Sequence, residues 1–198
     1  PNIIMSDADL DIAIPGVIDG MRYTRQGQAC TAGSRVYIQE KIYEKVLEGV
    51  VDKLKNLKMG NALDENSDIG AIISKEQLDR TLHYMNIAKE YSSTKVLHGG
   101  NQKKEGDYKD GFFYEPTLLS GVPVESPVCQ EEIFGPVACA IPFKSFDEVL
   151  KSANNTPFGL SAVLWTQNLS RALQFVEEIE AGFVQVNQCV APRANVSY

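Results

Sequence analysis

Strand-like segments and amphipathic helical segments alternate along most of this chain. Residues 34–39 alternate apolar with polar side chains, and residues 160–166 are mostly apolar, as in a buried strand. Apolar residues recur at helical spacing over residues 41–57, 74–91 and 168–180. This alternation is typical of βαβ units, whose right-handed crossovers place helices on both faces of a sheet. It predicts an α/β fold with an open, mostly parallel twisted sheet.

Shorter segments complete the predicted pattern. Further strands are expected over residues 94–98, 112–119, 137–143 and 182–187. Residues 101–111 are polar and charged, which predicts an exposed loop or a hairpin tip. Ser145 is expected to cap a short helix. No linker or repeat interrupts the pattern, so residues 1–198 are predicted to form one domain.

Two helices carry more detailed expectations. A helix that begins near Leu10 is predicted to be interrupted at Pro15–Gly16, or to be two short helices. In the helix over residues 168–180, five apolar residues are predicted to face the core: Leu169, Ala172, Leu173, Val176 and Ile179.

Charge and cysteine content exclude several classes of function. The chain has 19 basic and 26 acidic residues, a net charge of −7, which argues against non-specific nucleic-acid binding. No run approaches 18 apolar residues and no secretory signal pattern is present, so no membrane partner is expected. The four cysteines include no C-x-x-C pair, which argues against a zinc ribbon or a thioredoxin-type motif. Four cysteines in 198 residues are too sparse for a disulfide scaffold, which favours a reducing compartment such as the cytoplasm. Two histidines are too few for a His-based metal cluster, and no metal site is expected.

Cys30 lies in the string R-Q-G-Q-A-C-T-A-G-S-R, residues 25–35. The small residues around it leave room for a ligand, and the segment is predicted to be a loop between a helix and a strand. A cysteine on such a loop can expose its sulfur, and nearby backbone N–H groups can stabilise an oxyanion. The alternative is a buried structural cysteine.

Residues 131–136, E-E-I-F-G-P, combine two acids, an aromatic ring and a Gly-Pro turn. They could present a hydrogen-bond acceptor and an apolar wall to one ligand. The alternative is a strand entrance with two solvated acids. Neither a G-x-G-x-x-G nor a P-loop string occurs, so the chain shows no dinucleotide or nucleotide signature of its own.

Taken in order, several strings resemble motifs of the aldehyde dehydrogenase superfamily. P-N-I-I followed by D-A-D-L-D, at residues 1–11, resembles the run that follows the family's E-L-G-G-K-S motif. Q-G-Q-A-C, residues 26–30, resembles the nucleophile motif, and Q-E-E-I-F-G-P-V, residues 130–137, resembles the cofactor-contacting motif. Residues 154–162 and 182–187 resemble later segments. The resemblance covers essentially the whole chain and implies the fold of the family's catalytic domain.

The resemblance also implies roles for particular residues. Cys30 would be the thiol that attacks an aldehyde, giving a hemithioacetal and then a thioester. Glu132 would accept hydrogen bonds from the nicotinamide ribose, and Phe134 would pack beside the nicotinamide ring. Gln77 and Arg80 would contact the ribose as well. The implied cofactor is NAD or NADP, and the implied parent enzyme is a homo-oligomer.

The chain also departs from the family pattern. The general-base Glu of E-L-G-G-K-S would lie just before Pro1, and the dinucleotide-binding domain and oligomerisation segment are absent. Arg25 replaces the usual Asn, and the chain ends at Tyr198, where the family usually continues. We therefore expect a catalytic domain truncated at both ends, which turns over no aldehyde when isolated.

Two other functions remain open at this point. One is a cysteine-dependent hydrolase or acyltransferase, whose base would have to be His83 or His98. The other is a catalytically silent, structural member of the same fold.

Overall fold

The computed structural model describes residues 1–189, so residues 190–198 of the predicted domain lie outside the described part. Within it, one long sheet and one short hairpin account for the strands. These are β1 (Asn2–Ile4), β2 (Arg35–Gln39), β3 (Lys95–His98), β4 (Gln102–Lys103), β5 (Phe113–Tyr114), β6 (Thr117–Ser120), β7 (Val137–Phe143), β8 (Ser161–Trp165) and β9 (Phe183–Val186).

The long sheet has seven strands in the order β3-β6-β7-β2-β1-β8-β9. Its neighbours pair in parallel except β3, which lies antiparallel at one edge. The prediction of an open, mostly parallel sheet is therefore confirmed. β2 is the central strand, and β1 lies inside the sheet, between β2 and β8. β4 and β5 form the separate antiparallel hairpin, in the region predicted as a loop or hairpin tip.

Helices cover both faces of the sheet, as predicted. They are α1 (Leu10–Met21), α2 (Tyr43–Lys55), α3 (Lys75–Glu90), α4 (Pro127–Gln130), α5 (Phe146–Asn154) and α6 (Leu169–Glu178). α1 and α2 pack against one face, in a core that includes Ile4 and Val36. α5 and α6 pack against the opposite face with Ile3 and Tyr37, and α3 and α4 cover the part of that face that contains Cys139. Adjacent strand residues thus serve opposite cores, because side chains alternate across a strand.

The interruption expected at Pro15–Gly16 was wrong. α1 runs without a break from Leu10 to Met21, with Asp9 as its N-cap and Pro15 inside it. Proline removes one N–H and so one helical hydrogen bond, but packing of an apolar face can outweigh that loss. Close packing explains the glycine at position 16, because a Cβ there would overlap the ring of Trp165.

The predicted inward face of α6 was also wrong in part. Of the five residues predicted to face the core, Ile179 is buried and Ala172 half-buried, whereas Leu169, Leu173 and Val176 are 72 %, 57 % and 51 % exposed. Phe175, which was not predicted to face inward, is buried. Two rows of apolar side chains run along this helix at helical spacing. The row that contains Phe175, whose ring is larger than the side chains of the other row, packs into the core. Burial of an aromatic side chain removes more apolar surface from water, which favours that orientation.

The strand predicted over residues 112–119 is two strands. β5 belongs to the hairpin and β6 to the long sheet, and Glu115–Pro116 separates them. Pro116 has no N–H to give to a ladder, so it marks the place where the chain leaves one sheet for the other. None of the described helices is long and apolar enough to cross a membrane.

Candidate active site

A cavity of about 230 Å³ lies at the amino-terminal ends of the inner strands of the sheet, and Cys30 lines it. Pro1, Arg35 and Ser161, at the starts of β1, β2 and β8, border it. Glu131 and Glu132 close the cavity from the segment before β7. The sheet therefore brings two predicted site residues, Cys30 and Glu132, into one cavity although they are far apart in sequence.

The segment that carries Cys30 is a series of tight turns. A 3₁₀ turn over Tyr23–Arg25 is followed by two left-handed residues, Gln26 and Gly27, with φ of 55° and 64°. Tyr23 fixes these turns to the core, because its ring is buried and its hydroxyl donates a hydrogen bond to the Thr117 carbonyl at 2.8 Å. Cys30 itself is exposed. The predicted loop with an accessible thiol is thus observed, and the alternative of a buried structural cysteine does not describe Cys30.

Residues 131–135, which we call the cofactor-motif loop, lead from α4 into β7. Phe134 is half-buried with a left-handed φ of 57°, and Glu132 is exposed. A second, smaller cavity of about 30 Å³ lies between this loop and residues 26–34, which we call the cysteine loop, and both Glu132 and Phe134 border it. A Cβ on Gly27 would collide with the Gly135 carbonyl oxygen, so the two loops touch backbone to backbone.

Gln77 and Arg80 lie behind the cofactor-motif loop, on α3. The Gln77 side-chain amide donates to the carbonyls of Ile133 and Phe134, at 2.8 Å each. Arg80 donates through Nε to the Glu132 carbonyl at 3.1 Å, and through Nη2 to the same oxygen. Their polar ends therefore contact the backbone of the loop, and the ribose contact expected for them stays a prediction.

Two further side chains border the cavity: Arg35, which the sequence reasoning missed, and Cys129, whose position near a turn had left a place at a site edge open. Arg35 borders the cavity, but its guanidinium donates to the carbonyls of Ser152 and Ala153 and to the Tyr37 hydroxyl, so it ties β2 to α5. Cys129 also borders the cavity and is buried. A hydrogen bond with the buried Cys139 thiol lowers the pKa of Cys129, against the opposing effect of burial, and raises that of Cys139. The position of Cys129 just before the E-E-I-F-G-P string was the one available signal.

The histidines lie away from the cavity. His83 is an exposed residue of α3 whose ring contacts that of Tyr84, and His98 ends β3 at the edge of the sheet. Burial lowers the pKa of His98. Neither borders the cavity beside Cys30, so a Cys-His pair has no support in residues 1–189. That part of the chain also holds no group of three or more side chains suited to a metal ion.

Comparison with known proteins gives a consistent result. The model of the aldehyde dehydrogenase family matches residues 1–198. The chain is 41 % identical, over 187 residues, to the alpha-ketoglutaric semialdehyde dehydrogenase of Bacillus subtilis (strain 168). The aligned region covers 94 % of this chain and 38 % of that protein. It is 40 % identical to the putative aldehyde dehydrogenase DhaS of the same organism, of which it covers 37 %. The chain thus spans well under half the length of these relatives.

Solved structures agree in fold. The betaine aldehyde dehydrogenase of Staphylococcus aureus, in complex with NAD+, superposes with a TM-score of 0.94 at 31 % identity, over 99 % of this chain and 38 % of that one. The NAD+ complex of an aldehyde dehydrogenase from Bacillus cereus gives a TM-score of 0.91 at 38 % identity, over 98 % of this chain and 38 % of that one. With the motifs and the cavity at Cys30, these matches lead to one conclusion: the chain belongs to the aldehyde dehydrogenase family.

Proposed function

We propose that this chain carries the catalytic thiol and part of the nicotinamide-binding surface of a longer NAD(P)-dependent aldehyde dehydrogenase. One observation carries the proposal: the exposed Cys30 and the exposed Glu132 border the same cavity in a member of this family. The reaction converts an aldehyde to a carboxylic acid.

Cys30 supplies the covalent chemistry in this proposal. Its sulfur adds to the carbonyl carbon of the aldehyde, and its own backbone N–H is a donor for the oxyanion that forms. Loss of hydride from the hemithioacetal carbon leaves a thioester on Cys30. Water then hydrolyses the thioester, which gives the acid and returns the thiol. Sulfur suits both steps because it is a strong nucleophile and also a good leaving group.

The cofactor-motif loop supplies the cofactor contacts. When bound, NAD(P)+ accepts the hydride released from the hemithioacetal. The Glu132 carboxylate is exposed, so it can accept hydrogen bonds from ribose hydroxyls, and Phe134 offers a half-buried ring beside it. The chain contains no phosphate-binding glycine motif, so we assign the rest of the cofactor surface to other parts of the longer protein.

Activity of the full-length protein that includes this chain tests the proposal. Cys30→Ala should abolish reduction of NAD(P)+ with an aldehyde, and Glu132→Gln should raise the KM for the cofactor. Cys189→Ala is the matched control, because Cys189 does not border the cavity. Full activity of the Cys30→Ala protein would overturn the proposal and favour the structural role.

We also propose that the longer protein is a homo-oligomer in the cytoplasm. The four cysteines, all within residues 1–189, form no disulfide, which supports a reducing compartment. Light scattering on the full-length protein tests the oligomer, and a monomer at micromolar concentration would contradict it.

A further inference from the structure

We propose that Arg80 is a positioning residue that, together with Tyr84 and Glu131, sets where the neighbouring Glu132 presents its carboxylate to the cofactor. The inference rests on the proposed function and deepens it. Its basis is the set of contacts between α3 and the cofactor-motif loop.

The first observation is that α3 binds three consecutive carbonyl oxygens of the loop. The Gln77 amide donates hydrogen bonds to the carbonyls of Ile133 and Phe134, and the Arg80 guanidinium donates to that of Glu132. Gln77 and Arg80 are three residues apart, so they share one face of the helix and act on the loop side by side. A planar guanidinium with two donors on one oxygen fixes direction as well as distance.

The second observation concerns the two adjacent acids. The Tyr84 hydroxyl donates to Oε2 of Glu131 at 2.6 Å, and Arg80 Nη2 lies 3.2 Å from the same hydroxyl. The Arg80 guanidinium also stacks on the Tyr84 ring, 5.1 Å from its centroid. The Glu131 carboxylate is therefore held by α3. Both acids are exposed and border the cavity at Cys30, but of the two it is Glu132 that also borders the smaller cavity beside Phe134.

The third observation explains how one acid is held and the other presented. The backbone of Glu131 is extended, with φ of −108° and ψ of 157°. In extended backbone, successive side chains point to opposite sides, so fixing Glu131 against α3 turns Glu132 away from that helix. Arg80 completes the arrangement, because it binds the Glu132 carbonyl and the Tyr84 hydroxyl at once.

Close packing on both sides restricts movement of the cofactor-motif loop. A Cβ on Gly135 would collide with Oγ1 of Thr81, so the loop packs closely on α3 just beyond Phe134. On its other side Gly135 touches Gly27 of the cysteine loop. A shift of the cofactor-motif loop away from α3 would therefore change the spacing between Glu132 and Cys30.

Two measurements on the full-length protein test this role, and a third, on Cys30, serves as a control. In cofactor-free protein, Arg80→Ala and Tyr84→Phe should each speed amide hydrogen exchange in residues 131–135, by at least about tenfold for Arg80→Ala. Both variants should also raise the KM for NAD+ more than they change kcat. The rate of iodoacetamide reaction at Cys30 should stay within about twofold, since the thiol chemistry does not depend on Arg80.

Arg80→Lys and Lys89→Ala make the test specific. A lysine keeps the charge but has one compact donor group, so it should restore only part of the NAD+ affinity. Lys89 is exposed near the end of the same helix, and its substitution should change neither the loop exchange nor the KM for NAD+. If Arg80→Ala fails to fold, Tyr84→Phe and Arg80→Lys still report on the loop.

The outcomes separate this inference from the proposed function. If Glu132→Gln raises the KM for NAD+ but Arg80→Ala and Tyr84→Phe change neither exchange nor KM, the positioning role is overturned and the function stands. A raised KM in Arg80→Ala with unchanged loop exchange indicates direct cofactor contact and also overturns it. If neither Glu132→Gln nor Arg80→Ala changes the KM, the proposed cofactor site itself is wrong.

Discussion

Cys30 differs from the other cysteines in how exposed the residue is. It is exposed, whereas Cys129 and Cys139 are buried and Cys189 is half-buried. Alkylation requires access for the reagent and a thiolate, and burial in apolar surroundings opposes both. Burial raises the pKa of Cys189, and a hydrogen bond to Cys129 together with burial raises that of Cys139. We predict that limiting iodoacetamide labels Cys30 first, as read by mass spectrometry of the digested chain.

A denatured sample provides the control for this prediction, because unfolding should make the four cysteines similarly reactive. Preferential labelling of Cys129 in the native chain would contradict the assignment of Cys30. Cys129 is the sharpest competitor, since it borders the same cavity and its pKa is lowered by the hydrogen bond from Cys139.

Gly27 is the residue at which the two loops of the site touch. It has a positive φ, and a Cβ there would also collide with the Gly135 carbonyl oxygen. Gly106 is a matched control, because it has φ of 58° and open space around it. Gly106→Ala should cost only the left-handed conformation, about 1–2 kcal/mol. Gly27→Ala should lower the free energy of unfolding by more, about 2–4 kcal/mol, because the loops must also separate. Urea denaturation measures both, and equal costs would contradict the close approach.

At the scale of the element, α6 has two apolar rows with different environments. Phe175 is fully buried, whereas Leu173 is 57 % exposed. Phe175→Ala should lower the free energy of unfolding by about 3–5 kcal/mol, because it leaves a cavity in the core. Leu173→Ala should change it by less than about 0.5 kcal/mol, as at other surface positions. Comparable losses in urea denaturation would contradict this assignment of Phe175 to the core and Leu173 to the surface.

α6 also shows what sequence alone can predict. Periodicity located the helix to within about two residues at each end. Any apolar row at helical spacing gives the same signal, whichever side of the helix it lies on. It could not decide which of two rows faces the sheet, since that choice depends on the space left between α5 and β8. The same limit applies to Arg80. The resemblance placed it beside the cofactor motif, but its carbonyl contact depends on how the loop folds onto α3.

At the scale of the whole molecule, the site lies at an edge that the usual rule for open α/β sheets does not favour. Ligands in such sheets commonly bind outside the carboxyl ends of the strands. Here Cys30 precedes β2 and Glu132 precedes β7, and the cavity borders the amino-terminal ends of β1, β2 and β8. The strand alternation therefore predicted the fold, whereas the site came only from the motifs.

An interior strand of the sheet is formed by the first residues of the chain, which were not predicted to be a strand. β1 has only three residues, yet it pairs with both β2 and β8. Asn2 is fully buried there, and it accepts a hydrogen bond from Trp165 Nε1 at 2.7 Å. This contact joins residues 163 positions apart in sequence, so it forms only when the whole sheet is assembled.

A double-mutant cycle tests this long-range contact. Asn2→Ala removes the acceptor and leaves the buried indole N–H unsatisfied, so it should lower the free energy of unfolding by about 1–3 kcal/mol. In a Trp165→Phe background there is no N–H to satisfy, so Asn2→Ala should cost less. The difference between the two costs isolates the pair, and we expect it to be at least about 1 kcal/mol. Circular dichroism in urea serves for all four proteins, because Trp165 is the single tryptophan and fluorescence is lost with it. Equal costs in both backgrounds would mean that Asn2 stabilises the sheet without this hydrogen bond.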